Sequence, residues 1–139
     1  MEPFLGTWKV VIEKTSGVLE LGKLFGWEEG KAEMVSKLEY TMLLEANGDT
    51  LRAFLDYGNP KLEFNFKLGE EFDYTGPDGS KAKCKVLMEG GKWVEYYRVP
   101  EKPEATWTTT RELNGGEMLA TTLFDAAPDV KCNQTLVKA

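Results

Sequence analysis

Histidine is absent from the 139 residues. Ser-His-Asp and Cys-His nucleophiles, histidine-ligated metals and histidine pH switches are therefore all unavailable. Cysteine is nearly absent too: Cys84 and Cys132 are the only two, and no Cys-x-x-Cys pair exists. Two widely separated thiols make neither a zinc site nor a disulfide framework, so no metal is expected and the thiols fit a reducing compartment. No apolar run approaches the roughly 20 residues of a membrane span. The start, Met1-Glu2-Pro3-Phe4, carries neither the basic nor the apolar region of a secretory signal. The expected location is cytoplasmic. Basic residues are in deficit, 17 against 23 acidic ones for a formal charge of -6, a balance that repels a phosphate backbone and argues against a nucleic-acid partner. Linkers, repeats and low-complexity segments are missing, and the length and composition suit one globular domain over residues 1–139.

What is present in abundance is alternation. Lys61-Leu62-Glu63-Phe64-Asn65-Phe66-Lys67-Leu68 and Lys81-Ala82-Lys83-Cys84-Lys85-Val86 place polar and apolar residues on opposite faces, the pattern of strands with one wet side. Asn47-Gly48-Asp49, Gly58-Asn59-Pro60, Gly76-Pro77-Asp78-Gly79, Gly90-Gly91 and Asn114-Gly115-Gly116 break the pattern with hairpin chemistry. Successive strands are thus antiparallel neighbours. Only residues 16 to 37 carry helical spacing, through Val18, Leu19, Leu21, Leu24, Trp27, Met34 and Val35. Gly26 can end a first short helix there, and Glu28 and Glu29 suit the amino terminus of a second. About ten short strands must stack or close, and closure removes exposed edges. The expectation from the pattern is an all-β fold: a closed antiparallel barrel with a helical cap.

The informative residues interrupt apolar faces. Trp107, Thr109, Arg111 and Leu113 share one face of a strand, and Val130, Cys132, Gln134 and Leu136 share another. An inward Arg111 needs a carboxylate, ordered water or an anionic ligand, because an unpaired buried guanidinium is prohibitively costly. With the strand turned over, Arg111 lies in solvent, and the pattern admits both. Trp93, Glu95 and Tyr97 form a similar set, with Val94 and Tyr96 making the opposite face equally apolar. Inward, Glu95 can pair with Arg111. The runs Glu28-Glu29 and Glu70-Glu71 read as solvated charge, and the glycine pairs lack the lysine and hydroxyl of a phosphate loop. One uncertain acid is not a catalytic constellation, so neither an enzyme nor a cofactor is expected.

Phe4-Leu5-Gly6-Thr7-Trp8-Lys9, Glu45-Ala46-Asn47-Gly48-Asp49, Phe66-Lys67-Leu68-Gly69-Glu70-Glu71-Phe72-Asp73, Gly90-Gly91-Lys92 and Arg111-Glu112-Leu113 together resemble the intracellular lipid-binding protein family. That family includes the fatty acid-binding and cellular retinoid-binding proteins, and the resemblance runs from Phe4 to the end of the chain. It implies a ten-stranded antiparallel up-and-down barrel, lipocalin-like, around an internal cavity with a helix-turn-helix cap, and a cytosolic, monomeric carrier of a hydrophobic small molecule, by default a long-chain fatty acid. A carrier of a retinoid, a bile-acid-like or another neutral or bulky lipid is the alternative. Family members commonly hold a ligand carboxylate with two arginines and a tyrosine. The first arginine matches Arg111, whereas the second falls on Gln134 and the tyrosine on Leu136. Cys132-Asn133-Gln134 instead resembles the last strand of retinol-binding members, which carry glutamine where this chain has Arg111.

Without the second guanidinium and the phenol, a carboxylate loses charge-assisted hydrogen bonds worth about 1.5–3 kcal/mol each. An inward Glu95 would neutralise Arg111 further, favouring a neutral or weakly polar head. By aligned position and strand face, the resemblance adds Trp93, Glu95, Tyr97, Trp107, Thr109, Ala120 and Thr122 as cavity wall. It places a portal by the turns at Asn59 and Ser80, with Tyr57 standing in for a family phenylalanine. Transient membrane contact through the cap would involve Trp27, Lys31, Met34 and Lys37, against the repulsion of Glu28, Glu29 and Glu33 from anionic lipid. Extra residues around Pro100-Glu101-Lys102-Pro103 and Ala126-Ala127-Pro128-Asp129 are expected to lengthen two late turns.

Overall fold

The computed structural model describes every residue except Met1, Phe25, Asn59, Pro60, Pro77, Asp78 and Ser80. A short 3-10 turn, Glu2–Phe4, leads into β1 (Gly6–Ser16), and two helices follow, α1 (Val18–Leu24) and α2 (Glu29–Ser36). Nine more strands complete the chain: β2 (Thr41–Asn47), β3 (Thr50–Asp56), β4 (Lys61–Phe66), β5 (Phe72–Thr75), β6 (Lys81–Glu89), β7 (Lys92–Val99), β8 (Lys102–Asn114), β9 (Glu117–Phe124) and β10 (Ala127–Lys138). Their order in the sheet is β4-β3-β2-β1-β10-β9-β8-β7-β6-β5. The meander is therefore joined to itself where β1 meets β10, with Val10 opposite Leu136.

Closure is incomplete. Among the described residues β4 and β5 have no backbone ladder between them, so the fully closed barrel expected from the sequence becomes a nearly closed one. Side chains fill the seam: Phe66 stacks on Phe72 at 4.6 Å and Phe64 on Tyr74 at 5.3 Å between ring centroids. β5 spans only Phe72–Thr75, and the turn before it bonds to β6 through Gly69 N–H to the Val86 carbonyl at 2.9 Å. Aromatic burial thus replaces the missing hydrogen bonds.

The opposite correction applies to the late hairpins. Pro100 and Glu101 alone separate β7 from β8, and Asp125 and Ala126 alone separate β9 from β10. The extra residues lengthen strands rather than turns: β8 has 13 residues and β10 has 12, with register shifts between Arg98 and Val99 and between Ala127 and Lys131. Paired strand satisfies backbone groups that a longer loop would leave to water.

Two glycines set the helical cap. Gly26, at φ 78°, ends α1 with its N–H on the Lys23 carbonyl at 3.1 Å and the Trp27 N–H on the Gly22 carbonyl at 2.9 Å, the double bond of a left-handed helix stop. Gly17, at φ 83°, lets β1 turn into α1 against β10; a Cβ there would lie 1.9 Å from the Lys131 carbonyl oxygen. Glu28 caps α2 with extended backbone. Val18, Leu21 and Cys132 bury together beneath the cap, with Trp27, Val35 and Phe124 around them. At the far end Phe4, Trp8, Met118 and Leu136 are each no more than 2% exposed, and Trp8 Nε1 donates to the Phe4 carbonyl at 2.9 Å. This dry floor seals one end of the barrel.

Candidate functional site

Between floor and cap lies an internal cavity of about 250 Å3, slightly below the roughly 300–1,000 Å3 usual for small-molecule sites. Its lower part is polar. β7 and β8 run antiparallel with Trp93 opposite Arg111 and Glu95 opposite Thr109, so the alternation that buries Trp93 and Tyr97 also buries Glu95 and Arg111. Arg111 Nε donates to Glu95 Oε2 at 2.7 Å. Trp93 Nε1 donates to the same oxygen at 2.9 Å, and Tyr97 Oη donates to Oε1 at 2.5 Å. One carboxylate is thus held by three donors, and both members of the ion pair are nine-tenths buried. Such a pair is tolerable only when its remaining polar atoms are satisfied, and no described buried side-chain nitrogen or oxygen lacks a partner.

Arg111 also points one Nη at the Met118 sulfur, 3.7 Å away. The Tyr40 hydroxyl donates to Gln134 Oε1 at 2.9 Å. Higher in the cavity Thr109 Oγ1 and Thr122 Oγ1 share a hydrogen bond of 2.7 Å. The walls above are aromatic: Tyr97 stacks on Trp107 at 5.2 Å, Tyr74 meets Tyr97 edge-on at 4.9 Å, and Tyr40 meets Tyr57 at 4.9 Å.

Burial fixes the protonation of these groups. It pulls the Arg111 pKa down, but Glu95, Tyr40 and Tyr97 together outweigh it and hold the value above that of ordinary arginine. Burial, then Glu95, pushes the Tyr97 phenol well above its usual range, so it remains a donor. Tyr40 is raised by burial against the opposing pull of Arg111. Burial likewise raises both cavity thiols, Cys132 to about 11 and Cys84 further, with Glu95 adding to the effect. Neither has the low pKa of a reactive nucleophile.

Trp93, Glu95, Tyr97, Trp107, Thr109, Arg111, Thr122, Gln134 and Tyr57 all line the cavity. Ala120 and Leu136 face inward but are not among the lining residues; they are 4% and 0% exposed within the core. Ala120 pairs with both Arg111 and Gln134 and lies behind them, while Leu136 belongs to the floor. Asn59 and Ser80, at the expected portal, lie outside the described residues. Sequence reasoning missed Tyr40, although its alternation with Met42 and Leu44, both buried, marks the inward face. Among the described residues no group of acids and cysteines is arranged to hold a metal.

A helix-capped barrel around a partly aromatic cavity with one buried polar cluster defines a ligand-holding barrel. No family model matches the chain. It is similar to fatty acid-binding protein 9 of Homo sapiens, 30% identical over 94 residues covering 68% of this chain and 70% of that protein. It is also similar to fatty acid-binding protein 9 of Mus musculus, 29% identical over 121 residues, 86% of each. The chain belongs to the fatty acid-binding protein family, a family of lipid carriers. Solved structures share the fold. Echinococcus granulosus fatty-acid-binding protein 1 superposes with a TM-score of 0.86 at 24% identity, covering 100% of this chain and 99% of that one. The Schistosoma mansoni fatty acid binding protein in complex with arachidonic acid gives 0.86 at 23% identity, over 100% and 98%. The wild-type fluorescent protein UnaG gives 0.84 at 26% identity, over 99% and 98%.

Proposed function

We propose that this chain is a non-enzymatic, monomeric, single-domain carrier that takes up a long-chain lipid, with fatty acids as the default class, inside its barrel. The observation that carries the reading is the cavity inside the barrel, whose Tyr57, Phe64 and Trp107 walls suit an acyl chain while one polar cluster receives a head. Affinity comes mainly from apolar burial, about 25 cal/mol per Å2, and the polar groups choose the head. The ligand classes of the human, mouse and Schistosoma mansoni relatives support the same assignment. Leu19, Leu24 and Met34 are exposed on the cap and offer apolar side chains for transient membrane contact during transfer.

Native mass spectrometry of the purified protein, with extraction and identification of the bound lipid, tests the reading. A co-purified long-chain lipid, or uptake of oleate after delipidation, is the expected result. An empty barrel that binds neither oleate nor an apolar fluorophore would overturn it, as would turnover of a cavity ligand that is lost in Glu95→Gln.

A further inference from the structure

We propose that the Glu95–Arg111 pair makes the internal polar site a receptor for uncharged hydrogen-bonding heads, a hydroxyl or primary amide on a long acyl chain, with no preference for a free carboxylate. This rests on the carrier reading and specifies the head that the cavity accepts. Arg111 and Glu95 contribute one positive and one negative charge at 2.7 Å, so the pair presents no net charge to an incoming anion. A carboxylate that reached the guanidinium would shed its water, which for a charge is far costlier than for a hydroxyl or amide. It would also meet the field of Glu95, whose charge Arg111 already opposes.

Donor and acceptor counting points the same way. An ionised carboxylate offers about four lone-pair sites, and Arg111 Nε, Trp93 Nε1 and Tyr97 Oη occupy three of those on Glu95. The cluster therefore retains an acceptor at Glu95, alongside donors from the rest of the Arg111 fork and the Gln134 amide, whose oxygen is taken by Tyr40. An alcohol or primary amide both donates and accepts, and so satisfies both sides. A carboxylate only accepts, leaving the Glu95 side facing another acceptor.

Competition against an apolar fluorophore, using oleate, oleyl alcohol and oleamide on the delipidated wild-type chain, is the test. Oleyl alcohol and oleamide are expected to bind at least as tightly as oleate; oleate binding more tightly than both overturns the proposal. In Glu95→Gln, which frees the guanidinium, the ratio of oleate to oleamide affinity is expected to rise about tenfold or more, the scale of one charge-assisted hydrogen bond. A ratio that stays unchanged in a folded Glu95→Gln also overturns it. Should that variant fail to fold, the wild-type series decides alone. If the fluorophore binds but none of the three competes, the head assignment fails with the cavity intact; if the fluorophore does not bind either, the carrier reading itself fails.

Discussion

The two ends of the barrel use the same inward alternation and come out opposite. At the floor, Phe4, Trp8, Met118 and Leu136 converge from the amino-terminal turn, β1, β9 and β10 and leave no space, and Phe4 reaches Trp93 at 5.9 Å between ring centroids. Under the cap, facing strands present Ala53, Thr109, Thr122 and Cys132, and the space between them stays open. Alternation therefore tells which face a residue occupies. Whether that inward position becomes core or wall depends on the side chains that meet it across the barrel, which belong to strands distant in sequence.

The sharpest way to break the comparison is at the boundary, where the buried pair divides floor from cavity. Glu95→Leu leaves Arg111 charged without its carboxylate and is expected to cost about 3–5 kcal/mol in urea unfolding. Glu95→Leu combined with Arg111→Met removes both charges and is expected to recover only part of that loss, because Trp93 Nε1 and Tyr97 Oη still lack the acceptor that Glu95 gave them. A free single substitution would mean that water already solvates the pair. Next in size, Leu136→Ala on the floor is expected to cost about 2–5 kcal/mol by opening a void among close-packed neighbours. Leu55→Ala on the cavity wall is expected to cost about half of that or less, because one side of Leu55 already lacks packed atoms. Equal losses at the two sites would contradict a hollow upper half.

The smallest effect is alkaline. Burial raises the Cys132 thiol to about 11 in the folded chain, so its contribution to stability is complete below the ordinary thiol pKa and is lost as pH rises through about 11. The raised phenols of Tyr57 and Tyr97 act in the same direction. The urea midpoint is expected to fall between about pH 8 and about pH 11, and Cys132→Ala is expected to make that fall shallower. A profile unaffected by the substitution would mean that Cys132 ionises as freely in the folded chain as in the unfolded one.

Much of this was legible in the residues. The alternating runs Lys61–Leu68 and Lys81–Val86 announced sheet, Gly26 announced the end of the first helix, and Arg111 on a tryptophan-bearing face announced a partner. Which way Arg111 and Glu95 face was not legible, because Val94 and Tyr96 make the alternative face of β7 equally apolar. The register puts Trp93 beside Arg111 on one face, and the burial of Glu95 and Arg111 against the exposure of Tyr96 shows that this face points inward. Leu136, at the position of the family's anchor tyrosine, and Ala120, expected as wall, face inward without lining the cavity, because depth along the barrel decides as well as strand face. The open seam was hidden for a related reason: Phe64, Phe66, Phe72 and Tyr74 look the same in sequence whether their strands pair or only their rings touch.

On the proposed function a lipid occupies the upper half of the barrel and leaves the floor undisturbed. Titration of the delipidated, isotope-labelled protein with oleate, followed by side-chain NMR, tests it most directly. Saturable shifts at Leu55, Phe64, Trp107 and Thr109, with Phe4, Trp8 and Leu136 nearly unmoved, are the expected result. Shifts confined to exposed Leu19, Leu24 and Met34, or no saturable shift anywhere, would contradict it.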